Sequence, residues 1–323
     1  MEITIRRTAL FLVALSFVLA SPVASQVSAA PVVVDTISVG DEPVSVAFSP
    51  NGKTAYVTNA GGDTVSVITV STGDVTDTIS GVDYPYSVAI SPKGKQAYVA
   101  SYSGDSVYVI TIATGDVTDT INVGDEPYSV AISPNGNKAY VANSADDTVS
   151  VITIATGDVT DIINVGDNPY AVEISPNGKK AYVVNNNDHT VSVIKVSTGD
   201  VSDTINVGLG PRSVAFSPNG KKAYVVNRSA YNVSVITVST GDVTDTIIVG
   251  VWPQSVAFSP NGKYAYVPNG DDDNVSVIKV SSGDVINTVN VGDNPSWLAF
   301  SPNGKKTYVV NAGADSVSVL APR

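Results

Sequence analysis

The tetrapeptide Ser49-Pro50-Asn51-Gly52, followed by the alternating run Thr54-Ala55-Tyr56-Val57-Thr58-Asn59, decides the fold because both elements return at a fixed spacing. Ser-Pro-Asn-Gly begins again at Ser133, Ser175, Ser217, Ser259 and Ser301, and Ser91-Pro92-Lys93-Gly94 fills the remaining slot, each 42 residues from the next. A constant period of this length marks a chain of similar structural units packed side by side. Residues 30–323 hold seven such units, which leaves no room for a second domain.

Within one unit the sequence predicts four short strands, for example residues 44–48, 54–59, 64–70 and 75–80, separated by Gly, Pro, Asn and Asp turn signals. Asn51-Gly52 and Thr72-Gly73-Asp74 supply the positive-φ positions that tight hairpins need, so each unit reads as a four-stranded antiparallel meander. Helical periodicity is absent. Four strands in about 40 residues make one propeller blade, and seven units make a seven-bladed, all-β propeller. Asp35-Thr36-Ile37 aligns with the fourth-strand triplet Asp77-Thr78-Ile79, while the last unit runs out after Val319. The N-terminal strand is therefore expected to complete the last blade and close the ring.

The second strand reads Tyr56-Val57-Thr58-Asn59, Tyr98-Val99-Ala100-Ser101, Tyr140-Val141-Ala142-Asn143, Tyr182-Val183-Val184-Asn185, Tyr224-Val225-Val226-Asn227, Tyr266-Val267-Pro268-Asn269 and Tyr308-Val309-Val310-Asn311. The repeat resembles the YVTN-type β-propeller repeat, named for that tetrapeptide, of bacterial secreted proteins and archaeal surface-layer proteins. The resemblance covers residues 30–323 and is specific for fold. It implies scaffolds, adhesive modules or, in distant relatives, enzymes, so function has to be argued from sites.

Composition narrows those classes. The 323 residues carry 18 Lys+Arg against 30 Asp+Glu, a formal charge of −12 that opposes nucleic acid and anionic lipid. With no Cys and the single His189, thiolate chemistry, Cys-ligated zinc and His-rich metal centres are excluded. Phosphate-cradling glycine motifs are absent, and neither a cofactor nor a bound metal is expected. The acidic run Asp271-Asp272-Asp273-Asn274 lacks the spaced ligands of a calcium loop.

Arg6 and Arg7 precede an apolar stretch, residues 9–20, that is too short to span a bilayer and is followed by small residues. Residues 1–29 are expected to be a signal peptide cut after Ala29, giving a secreted or cell-envelope protein of charge −13 with no transmembrane segment. The partners expected there are envelope or extracellular proteins or glycans, with self-association a further option.

The seven copies serve as one another's control. The turns between first and second and between third and fourth strands are nearly uniform, and the loops at the opposite end vary. Two series stand out there: Glu42, Tyr84, Glu126, Asn168, Gly210, Trp252, Asn294, and, two residues on, Val44, Tyr86, Tyr128, Tyr170, Arg212, Gln254, Ser296. All fourteen are expected to ring the mouth of the central channel, where Tyr and Trp suit a recognition surface or a sugar-stacking platform. The expected binding residues are Tyr84, Tyr86, Tyr128, Tyr170, Arg212, Arg228, Trp252, Gln254 and Trp297, the last standing where other copies have Ser or Ala. The alternative is a lactonase or hydrolase. Glu173 replaces the Ala of the other six copies and His189 an Asp, and with Arg212 as the cation they would form an acid–base cluster.

Overall fold

The computed structural model describes residues 30–321; the expected leader, residues 1–29, lies outside them. Seven four-stranded antiparallel sheets follow one another along the chain. Blade one comprises Pro43–Phe48, Thr54–Asn59, Thr64–Thr69 and Val75–Ser80, within a residue of the sequence expectation. The seventh blade is built from both ends of the chain, its sheet running Val32–Ser38, Ser316–Ala321, Thr307–Asn311, Pro295–Phe300. Asp35 faces Val319, Thr36 faces Ser318 and Ile37 faces Val317, so the N-terminal strand seals the ring as expected.

The first strands of neighbouring blades touch each other, which makes them the innermost. Their side chains alternate in size across the blade interface. Val46 and Phe48 pack against Tyr308, Ala299 and Trp297 of blade seven, while Ala47 faces Val88 and Ile90 of blade two. The repeated tyrosine of the second strand reaches the following blade: Tyr308–Phe48, Tyr182–Phe216, Tyr224–Phe258 and Tyr266–Phe300 have ring centroids 4.7–4.8 Å apart. These buried aromatic pairs favour tilted, offset geometries and add to plain area burial.

The repeated asparagine at the end of that strand is fully buried. Asn185 Nδ2 donates to Thr190 Oγ1 and Ser192 Oγ at 2.9 Å each, tying the second strand to the third. Five other blades repeat the arrangement. At the opposite end Ser49 Oγ donates to Asn51 Oδ1 (2.8 Å) and accepts from the Thr54 N–H (3.0 Å), while Asn51 Oδ1 accepts from the Lys53 N–H (2.9 Å). Gly52 adopts φ +67° there, and a Cβ on it would press on Pro302 of the adjacent blade. The Ser-Pro-Asn-Gly motif is thus a self-satisfied turn that also locks blade to blade.

Candidate functional site

Six of the seven inner strands open with a proline, and in each the ladder slips between that proline and the residue two further on. The bulge throws the intervening residue out of the ladder, and such bulges re-aim side chains. The ejected residues are Val44, Tyr86, Tyr128, Tyr170, Arg212 and Ser296. In blade six Pro268 has no N–H to give the inner strand, so that strand shrinks to Ala257–Phe258. Gln254, held by its N–H to Pro268 O (2.9 Å), occupies the equivalent place.

All seven line an open cavity at the channel mouth, together with Ser45, Ser87, Ser129 and Trp297. The tyrosines form an arc. Tyr128 stacks on Tyr170 at 4.0 Å and meets Tyr86 edge-on at 4.5 Å. Arg212 closes the arc from the other side, with its guanidinium 5.0 Å from the Tyr170 ring centre and Nη2 donating to Tyr86 Oη at 3.2 Å. Burial pushes the Tyr86 hydroxyl up to about 12, against the pull of the Arg212 charge, and burial likewise raises Tyr128. Both phenols are neutral donors at physiological pH. Ser87 Oγ and Ser129 Oγ in the wall accept the N–H groups of Val130 and Val172, the inner-strand residues of the next blade.

The other variable series does not line the cavity, which corrects the expectation for Tyr84 and Trp252, and Arg228 lies outside the lining as well. Its members Glu42, Tyr84, Glu126, Asn168, Trp252 and Asn294 have φ between 40° and 56°, with Gly210 at 60°. They sit in left-handed turns between blades, and their variation surrounds the mouth without entering it. The turns are held from the preceding blade: Asp63 Oδ1 accepts the Tyr84 N–H (2.8 Å), and Asp105, Asp147, Asp273 and Asp315 do likewise. Trp252, 40% exposed, carries the Arg228 guanidinium 4.0 Å above its ring. Tyr84 packs on Tyr102 at 5.8 Å, and Tyr102 extends the arc to Tyr128 at 5.0 Å. The sequence reading missed Tyr102. The signal was the position after the Tyr-Val-x-Asn motif, which reads Ala60, Tyr102, Ser144, Asn186, Arg228, Gly270 and Ala312.

Glu173, His189 and Arg212 do not form the expected acid–base cluster. His189 stands in the place of the Asp, at φ 57°: its Nδ1 is 3.2 Å from Gly210 N, from which it accepts when unprotonated, and 2.9 Å from Asn186 O, to which it donates in the other tautomer. Glu173 pairs with Tyr182 across the sheet, three residues past Tyr170 and toward the Ser-Pro-Asn-Gly end. Its carboxyl keeps partial solvent contact, yet protein surrounds it, and burial alone raises it to about 7. The Arg212 charge contributes nothing to that shift.

A family model described as YNCE-like beta-propeller matches residues 129–225, which includes Tyr170 and Arg212. The Kuenenia stuttgartiensis hydrazine synthase structure superposes with a TM-score of 0.82 at 26% identity, over 88% of this chain and 97% of that one. The protein is a β-propeller. No curated protein sequence matches it, and the 1687 solved chains that do match in structure make the fold too widespread to define an activity. Among the described residues no helix is long and apolar enough to cross a membrane, and no cluster of three or more His, Asp or Glu could hold a metal.

Proposed function

We propose that the protein is an exported, YVTN-type propeller that acts in the envelope or outside the cell as a non-catalytic recognition module, binding through the channel mouth. The observation that carries this reading is the bulge series. Seven equivalent positions, six of them at the same bulge, share one cavity, yet they hold Val, three Tyr, Arg, Gln and Ser. A purely structural plug would be served by one side chain repeated seven times, as the buried Tyr of the second strand is. Half-buried tyrosines beside an arginine are the composition of a binding hot spot. The hydrolase alternative draws no support from the separate partners of Glu173, His189 and Arg212. A surface-layer role would require self-association.

The test is capture of the producer's envelope fractions by residues 30–323, comparing wild type with Y86A/Y128A/Y170A. The reading predicts capture by a monomeric wild type and its loss in a variant that stays folded. Equal capture by both would exclude the mouth, and concentration-dependent oligomers without capture would favour the surface-layer role.

A further inference from the structure

Charge is distributed unequally between the two ends. Every lysine lies in or beside the first-to-second or third-to-fourth turns, at the Ser-Pro-Asn-Gly end. The opposite loops carry sixteen carboxylates and two arginines, Arg212 and Arg228. These are the two arginines of the described residues, and the fold brings them together in blade five. The Arg228 N–H donates to Gly210 O (2.9 Å), two residues before Arg212. Among so many acids, each guanidinium would be expected to take a carboxylate partner. Among the described residues neither donates a hydrogen bond to one. Arg212 uses Nη2 on a neutral phenol, and Arg228 Nε is buried with no acceptor. Burial first, and then the charge of Arg212, pulls Arg228 below its ordinary value, while Asp271 pushes the other way.

Both arginines are braced by aromatic faces, Arg212 by Tyr170 and Arg228 by Trp252, which fixes the planar forks at little further entropy cost on binding. Beside Arg212 in the wall, Gln254 is 5% exposed and its Oε1 has no donor. Buried polar groups without partners are costly, and a ligand that supplied a donor to Gln254 would recover that cost. A guanidinium pair calls for a planar oxyanion, and Gln254 Oε1 calls for a hydroxyl or N–H donor beside it.

Resting on the reading of the mouth as a recognition site, we infer that Arg212, Arg228 and Gln254 form a subsite for a sugar acid, the carboxylate taken by the arginines, a ring hydroxyl by Gln254, and the ring lying against the tyrosine arc. The acidic rim sets the ligand's total charge. Asp125, for example, is raised from its ordinary value by the charges of Asp146 and Asp105. Such a rim repels a polyanion more strongly than a ligand with one carboxylate. Linear polyuronates and nucleic acids are disfavoured, and a single terminal uronate on a neutral glycan fits.

The experiment is titration of residues 30–323 with galacturonate, glucuronate, galactose, acetate and inorganic phosphate, followed by NMR. Saturable binding of a uronate is expected, at least about tenfold tighter than galactose or acetate. R212Q and R228Q should each weaken it by about tenfold, R212K should restore only part of the loss because the fork is gone, and Q254A should weaken it less. Melting temperatures should stay within a few degrees of wild type. Failure of both uronates to bind, phosphate binding as tightly as uronate, or retention by R212Q/R228Q would overturn the inference. Envelope capture that needs the tyrosines but survives R212Q/R228Q would overturn it while leaving the recognition reading intact, and capture that survives Y86A/Y128A/Y170A would remove that reading itself.

Discussion

At the end of the propeller carrying the Ser-Pro-Asn-Gly turns, six of seven blades repeat one set of hydrogen bonds. At the channel-mouth end, seven equivalent residues share a backbone position and little chemistry. Both ends belong to the same repeat, so the difference lies in what each residue has to satisfy. In the uniform turns the Ser and Asn side chains complete the backbone's own hydrogen bonding, and a replacement strands polar groups. At the mouth the bulge expels the side chain from the ladder, and the backbone is satisfied whatever that side chain is. Blade two shows the limit of tolerance at the uniform end. With Lys93 in place of Asn, Ser91 Oγ alone accepts from the Lys95 and Gln96 N–H groups.

The largest effect is expected from deleting residues 32–39, which strips the fourth strand from blade seven and exposes an edge. The melting temperature should fall by on the order of 10 °C or more, and an unchanged transition in calorimetry would mean the ring closes without that strand.

Glu173 comes next, as an intrusion of variation into the inner strand. Its folded pKa of about 7 lies above the unfolded value of 4.5, so the folded state binds the proton more tightly. Stability from this group is complete below about pH 4.5 and is lost as pH rises through 7. E173Q, which removes the charge, should exceed wild type by about 2–3 kcal/mol at pH 8 after allowance for the residue's partial exposure, and should match it near pH 4.5. Denaturant unfolding at the two pH values measures this, and a constant difference between them would refute it.

N185A removes both side-chain ties of a fully buried residue and should cost about 1–3 kcal/mol by the same method. S217A, at a turn partly open to water, should cost about 1 kcal/mol. Smallest is Y128S at the mouth. It should change stability less than N185A does, although it touches three aromatic neighbours, and a larger loss would make the tyrosine arc a structural plug.

The ring, its seven blades, the strand bounds and the closure by residues 32–39 were legible because they depend on period and turn chemistry, which repeat in the sequence. The inner ring of the mouth was legible for the same reason: residues 44, 86, 128, 170, 212, 254 and 296 hold one phase of a fixed repeat. What the sequence could not show was the bulge that sends those residues inward while Trp252 and Tyr84, two positions earlier, sit in left-handed turns. His189 looked like an intruder because its residue type changed, but an imidazole nitrogen can cap a turn as an Asp oxygen does. Glu173 and Arg212 are close in sequence terms, one blade apart, but separated along the channel by the length of strand between Tyr170 and Glu173.

The measurement that bears most directly on the contrast between the two ends is amide hydrogen exchange of residues 30–323 with and without envelope extract from the producing cells. The account predicts protection in segments 84–87, 126–129, 168–171 and 210–213 and in the loop at Arg228 and Trp252, with exchange at the Ser-Pro-Asn-Gly turns unchanged. Protection confined to those turns, or to the outer fourth strands, would contradict it.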